Sequence, residues 1–211
     1  MNNAETTSPL DYPALVIRER SADRLAATRH PWIFRSALTE GARVPDHGAV
    51  VRVQSERGTA IGVGFYSALS KIACRLVFGA GEEPGTDWIG KRIREAVSMR
   101  TLFRIPSNAV RLVNAEGDFF PGLIVDLYHE TLVIRPEIRG VELVVPAVQS
   151  VLEDIFPGKR IFLKRDERAA RIENLTIPSG YLKGEGNGRE RIEEDGVSLS
   201  LIHISEPTRP Y

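Results

Sequence analysis

The sequence predicts an α+β chain, a small β-barrel followed by an α/β layer, on three observations. Short apolar-alternating segments crowd residues 14–78, each bounded by turn residues, as in a small barrel or sandwich. From residue 88 onward strand-like and helix-like stretches alternate, the pattern of a mixed layer of helix and sheet. Between them lies Gly79-Ala80-Gly81-Glu82-Glu83-Pro84-Gly85, a linker by composition. The expected units are therefore 13–80 and 86–180, preceded by a loose polar tail over 1–12.

Each element has its own signal. Residues 14–18 (ALVIR) form a short strand, and residues 20–28 a basic link. Pro31 fixes its own φ and turns His30 away from the helical region. Trp32, Ile33 and Phe34 supply an apolar anchor with Arg29 and Arg35 on either side, and these arginines have no expected core role. Residues 49–54 alternate as a strand, 55–58 turn, and 59–66 form a glycine-studded strand. Glycines there imply tight curvature or close backbone approach. Residues 71–78 make the next strand.

In the second unit, Thr86 or Asp87 caps a helix that carries Trp88, Ile89, Ile93, Val97, Leu102 and Phe103 near helical spacing on its apolar side. Its basic side, with Lys91, Arg92, Arg94 and Arg100, reads as a solvated face, with RNA contact as the alternative. Residues 111–128 hold two strands around an acidic turn of Asn114, Glu116, Gly117 and Asp118. Strands follow at 131–135 and 160–164, around a helix over 142–156 with Pro146 in its first turn. Arg165, Arg168 and Arg171 are spaced by three and share one face of a helical turn. Residues 180–188 read as a glycine-rich loop, and Gly184-x-Gly186-x-Gly188 as no dinucleotide fingerprint, with no strand before it and no apolar helix after.

Charge enters through its distribution. Lysine plus arginine equals aspartate plus glutamate, 28 each, so the total decides nothing about nucleic acid. Residues 13–80 nevertheless carry ten basic side chains against five acidic ones. That asymmetry fits an RNA-contacting module, and also an ordinary solvated surface. The single cysteine, Cys74, sits in an apolar run, which excludes a disulfide framework and argues for a small buried hydrophobe rather than a metal ligand. No apolar run reaches the ~18–20 residues of a membrane span. The N-terminus has no basic region followed by an apolar core, so a cytoplasmic location is expected.

Taken whole, Arg111-Leu112, Glu116-Gly117-Asp118, Pro121-Gly122-Leu123 and Val125-Asp126-Leu127-Tyr128 resemble the central segment of the ribosomal RNA large subunit methyltransferase I family. In that family the segment lies between an RNA-binding PUA domain and the methyltransferase domain. Arg29-His30-Pro31-Trp32-Ile33-Phe34-Arg35 resembles the start of the same family's PUA domain. Arg165-Asp166, Arg171 and Glu173-Asn174-Leu175 resemble a further run, with Asn174 where the family has glycine. Asparagine tolerates the left-handed conformation, so the departure is mild.

The resemblance implies a PUA-like barrel over 13–80, an α/β central domain over 86–180, and 181–198 as the start of a linker to a Rossmann-like methyltransferase domain. It also implies S-adenosylmethionine as cofactor of the parent and 23S ribosomal RNA, methylated at cytosine C5, as partner. Residues 199–209, LSLIHISEPTR, resemble the translation of a transposase sequencing adapter. From this the methyltransferase domain is expected to be absent, and with it any cofactor or catalytic residue in this chain. Residues 199–204 would form an unpaired, sticky strand.

The candidate RNA-binding residues are Arg29, Trp32 and Arg35, with Arg18 and Lys71. Trp32 has two readings, a core anchor or a base-stacking surface ring. The expected function is RNA docking for a catalytic domain outside this chain; the alternative is a stand-alone PUA-type RNA-binding protein. A third reading makes Glu116, Asp118 and Asp126 the acids of a small-molecule enzyme. No metal and no membrane partner is expected, and the oligomeric state is left open.

Overall fold

A computed structural model describes residues 12–41, 44–82, 84–103, 106–187, 189–194 and 196–202. The expected tail, apart from Tyr12, and the adapter-like residues 203–211 lie outside the described residues.

The first sheet contains β1 (Ala14–Ile17), β2 (Trp32–Phe34), β3 (Val50–Ser55), β4 (Ala60–Tyr66) and β5 (Ile72–Gly79), in the order β1-β3-β4-β5-β2. Only the β1–β3 pairing is parallel. After β2 the chain crosses back to the opposite edge. Leu38 bridges Ile17, and the Arg18 N–H donates to the Ala37 carbonyl at 2.8 Å. The two outer strands are thereby tied together through residues 37–39. In β3 the side chains of Val51, Val53 and Ser55 are buried and alternate with half-buried ones, as a strand with one face on a core requires. The glycines of β4 serve close approach: a Cβ on Gly64 would lie 2.2 Å from the Arg75 carbonyl oxygen.

Residues 20–28, expected as a basic link, belong instead to helix α1 (Glu19–Thr28). Its sequence is mostly charged, and only Ala22 is buried, with Leu25 packed against the core of the first sheet. So narrow an apolar stripe gives little periodicity to read. Arg29 ends the helix in the left-handed conformation, φ 51°, donating its N–H to the Leu25 carbonyl at 2.8 Å.

The second sheet has the order β10-β9-β8-β7-β6. Its strands are β6 (Ala109–Asn114), β7 (Leu123–Tyr128), β8 (Thr131–Pro136), β9 (Arg160–Leu163) and β10 (Gly180–Lys183). β8 and β9 are parallel and joined by helices α3 (Arg139–Leu143) and α4 (Val145–Ile155). Between the sheets in sequence lies α2 (Trp88–Leu102), which packs on α4 and β6. After β9 comes α5 (Glu167–Glu173), capped by Asp166, whose Oδ1 accepts the Ala169 N–H at 2.8 Å. Asn174 closes α5 at φ 50°, the conformation that glycine or asparagine suits.

Two further sequence expectations need correction. A strand, β10, does precede Gly184, although the next element is another strand and not a helix. The residues 199–202, expected as an unpaired edge, lie in β12 (Val197–Ile202), which pairs antiparallel with β11 (Arg189–Glu194). Glu190 anchors that hairpin: its buried carboxylate accepts from Thr131 Oγ1 at 2.5 Å and pairs with Arg160.

One core runs through both sheets. Val63, Phe65, Val77 and Phe78 of the first sheet join Ile93, Leu123, Leu132, Ile134, Val148 and Leu152 of the second unit. Trp88 sits at the junction, with ring centroids 6.0 Å from Phe65, 5.7 Å from Phe78 and 5.3 Å from Phe120. The opposite face of the first sheet builds a second core from Leu15, Ile17, Ile33, Val51, Val53 and Cys74.

Candidate nucleic-acid interface

The five residues singled out in the sequence fall into three situations. Arg18, Arg29 and Lys71 are exposed. Arg18 and Arg29 flank α1, whose ten residues make it about 15 Å long. Arg18 has one loose ion pair, 3.7 Å to the exposed Glu40. Lys71 lies on the turn between β4 and β5.

Arg35 is different. Its Nη2 donates to the carbonyls of Ser67 (2.6 Å) and Ser70 (2.9 Å), and its Nε to Ser70 at 3.2 Å. The guanidinium holds the β4–β5 turn together, where the sequence suggested only a cation facing solvent or phosphate. Buried carbonyls need donors, and a planar fork supplies several at once.

Trp32 is not the fully buried core anchor of its first reading. Ile33 alone of the aromatic-aliphatic trio enters the core, while Phe34 is 50% exposed. Trp32 is half-buried, and its indole Nε1 donates to Glu116 Oε1 at 2.8 Å, tying β2 to the acidic turn of the second unit. His30 meets its ring edge-on at 5.3 Å and accepts the Trp32 backbone N–H through Nδ1.

That acidic turn is held by pairing. Asp118 takes Arg100 bidentately, at 2.6 and 2.5 Å, and accepts the Asn114 N–H at 2.6 Å. Asp126 pairs with Arg111 at 2.7 Å. Burial, then the charge of Asp126, pushes the neighbouring Tyr128 phenol up. With Glu116 on Trp32, each acid of the proposed small-molecule site already has a donor. Among the described residues no group of three or more His, Cys, Asp or Glu is placed to hold a metal ion. Cys74 is buried and its thiol is pushed up to about 12 by desolvation, the opposite of a reactive thiolate.

Between the first sheet and α5 lies a cleft of about 290 Å³, lined by Trp32, Arg75, Glu116, Ile138, Asp166 and Glu173 among others. Its floor is an ion pair that sequence reasoning missed: Arg75 Nη1 donates to Glu173 Oε1 at 3.3 Å, across 98 residues of sequence. The available signal was Arg75 itself, a charge inside the otherwise apolar strand Ile72-Ala73-Cys74-Arg75-Leu76-Val77. His47 adds a tie to the same helix end, its Nε2 2.8 Å from the Glu173 carbonyl oxygen.

Residues 16–77, which build the mixed first sheet whose outer strands are joined by a returning segment, match the family model described as PUA-like domain. Along most of its length the chain is similar to curated proteins named Ribosomal RNA large subunit methyltransferase I. The protein of that name from Tolumonas auensis is 29% identical over 191 residues, 88% of this chain and 48% of that protein. Those from Shewanella amazonensis and Photobacterium profundum are 32% and 30% identical over 87% of this chain, and 46% and 47% of their own lengths. The chain thus spans about half the length of the curated relatives it matches.

Two solved structures share the fold at 17% identity, each covering 89% of this chain. One is the methyltransferase SMU.776 complexed with SAH, with a TM-score of 0.72 over 47% of that chain. The other is a SAM-dependent methyltransferase from Streptococcus mutans, with a TM-score of 0.71 over 48% of that chain.

These matches correct the expected fold class. The inference that the family's Rossmann-like methyltransferase domain is absent rested on the adapter-like last residues. Methyltransferase structures align along 89% of the chain, residues 197–202 form a paired strand, and 203–211 lie outside the described residues. What stands is a chain of helices and mixed sheets containing a PUA-like domain.

The methyl donor can be tested against the one parallel crossover of the second sheet, β8-α3-α4-β9. Its glycine, Gly140, is not an open cradle: a Cβ there would lie 2.4 Å from the Phe65 ring. Gly140 serves packing against that ring, and no methyl-transfer step is assigned to this crossover. No helix among the described residues is long and apolar enough to cross a membrane.

Proposed function

We propose that this chain docks ribosomal RNA for an S-adenosylmethionine-dependent methyltransferase that modifies cytosine C5 of 23S RNA. The observation that carries the reading is the PUA-like match over 16–77, which coincides with the basic stretch bearing exposed Arg18, Arg29 and Lys71. The relatives named for ribosomal RNA large subunit methylation support the choice of RNA and of chemistry. Exposed cations bind phosphate by releasing counterions, so affinity falls with salt. The work of such a chain lies in the cytoplasm, beside ribosomal RNA.

The test is RNA affinity as a function of salt for the full chain and for the double variant Arg29→Gly, Lys71→Ala. Glycine suits the left-handed backbone at position 29, so the charge is removed without strain. The variant is expected to bind more weakly, with the log–log salt slope smaller by about 0.7 per lost single-strand phosphate contact. Melting is expected to stay put, because substitutions of exposed charges are close to neutral for stability. An unchanged slope and affinity would remove this face from RNA docking.

A further inference from the structure

The cleft beside α5 contains an acceptor that the fold leaves unused. Glu173 is the last residue of α5 and its side chain is only 2% exposed. Its Oε1 accepts from Arg75, but Oε2 is buried and has no hydrogen-bond partner among the described residues. A buried acceptor without a donor is destabilising, and native proteins rarely keep one for the fold alone. A carboxylate at a helix C-terminus also opposes the helix dipole. The other acids of the cleft are engaged: Glu116 with the Trp32 indole, Asp166 with the Ala169 N–H, and Glu137 with Arg135 at 3.3 Å.

The lining selects the chemistry of an occupant. Glu116, Glu137, Asp166 and Glu173 face Arg75 and Arg168, so acids outnumber bases and a phosphate is disfavoured. A group that carries an N–H donor and no negative charge is favoured. The remaining wall is apolar and partly flat, built from Trp32, Ile72, Ile138 and Ile172. The volume, about 290 Å³, sits at the lower bound of small-ligand sites, ~300 Å³, which suits one ring system. Unstacked RNA bases are bound in this way, against aromatic or apolar surface with hydrogen bonds to their edges.

We propose that the cleft receives one unstacked, amino-bearing nucleobase, whose exocyclic N–H₂ donates to Glu173 Oε2 beside Trp32. The inference rests on the RNA-docking reading and deepens it. Cytosine and adenine present an amino group to a carboxylate. Uracil flanks its single N–H with two carbonyl oxygens, which a carboxylate repels.

The experiment measures binding of labelled oligo(C), oligo(A) and oligo(U) to the full chain by fluorescence anisotropy, and of cytidine and uridine by equilibrium dialysis. Oligo(C) and oligo(A) are expected to bind on the order of tenfold more tightly than oligo(U), the discrimination of one good base contact. Glu173→Gln puts an amide where the carboxylate stood and is expected to erase that preference. Ala169→Phe fills the cleft from α5 without altering Glu173 or the exposed cations, and is expected to do the same while the salt slope persists. If Glu173→Gln fails to fold, Ala169→Phe decides alone. Equal affinity for the three oligomers, or a preference that survives Ala169→Phe, overturns the cleft proposal and leaves RNA docking standing. Cytidine binding with no oligomer binding keeps the cleft and overturns the docking. Binding of neither overturns both.

Discussion

Arg35 shows how a residue readable as a cation can be, first, a backbone clamp. Its guanidinium satisfies two carbonyls of the β4–β5 turn. Removing it leaves those acceptors short of donors, and hydrogen bonds to a charged group contribute about 1.5–3 kcal/mol each. Arg35→Ala is therefore expected to lower stability by about 2–3 kcal/mol in urea denaturation. RNA affinity should be lost only to the extent that the turn loosens. A variant that melts normally and binds RNA poorly would return Arg35 to the phosphates. The charges at 18, 29 and 71 were legible because an exposed lysine or arginine is visible as a residue type. The partners of Arg35 were not, since backbone carbonyls at 67 and 70 leave no trace in a side-chain pattern. The same limit hid the Arg75–Glu173 pair, which exists only once β5 and α5 are packed together.

Among elements, legibility followed the width of the apolar signal. β3 alternates cleanly and α4 carries Val145, Val148, Val151 and Leu152 inward, so both were plain in the sequence. α1 buries only Ala22, and β10 buries no residue fully, so neither raised a periodic signal. The glycines divide by environment, which permits a test at this scale. Gly140 in α3 lies against the Phe65 ring, itself backed by Trp88 and Phe120. Gly140→Ala overpacks that contact and is expected to destabilise by about 1–3 kcal/mol. Gly79→Ala, with nothing within 4 Å of the new methyl, is expected to be nearly neutral. Phe65→Leu in the Gly140→Ala background should recover part of the loss, measured as a positive coupling in a double-mutant cycle of melting free energies. Equal effects at positions 79 and 140 would mean that α3 does not press on β4.

At the scale of the whole molecule, the glycine-rich link at 79–85 suggests two units, whereas the packing suggests one cooperative body. β4 and β5 contribute Phe65, Val77 and Phe78 to the core shared with the second sheet. The same strands contribute Tyr66, Ala73 and Cys74 to the core on the other face. Separating the sheets would expose the Phe65, Phe78, Trp88 and Phe120 cluster, a large apolar loss. Cys74 and Trp88 report on the two cores independently. In a Trp32→Phe background, urea unfolding followed by Trp88 emission and by thiol labelling of Cys74 is expected to give coincident transitions. Labelling at a lower urea concentration than the emission change would show the first sheet opening alone. The same thiol sets a pH window. Burial raises Cys74 from 9.0 to about 12, so the folded chain keeps its proton where the unfolded chain loses it. Its contribution to stability is complete below pH 9.0 and is lost as pH rises toward about 12. Cys74→Ala should be less stable than the parent at neutral pH, because it leaves a small void. It should also lack this alkaline slope, so the two stability curves converge as pH rises. Parallel curves between those values would mean that Cys74 ionises as readily folded as unfolded, and hence that the core behind β5 admits water.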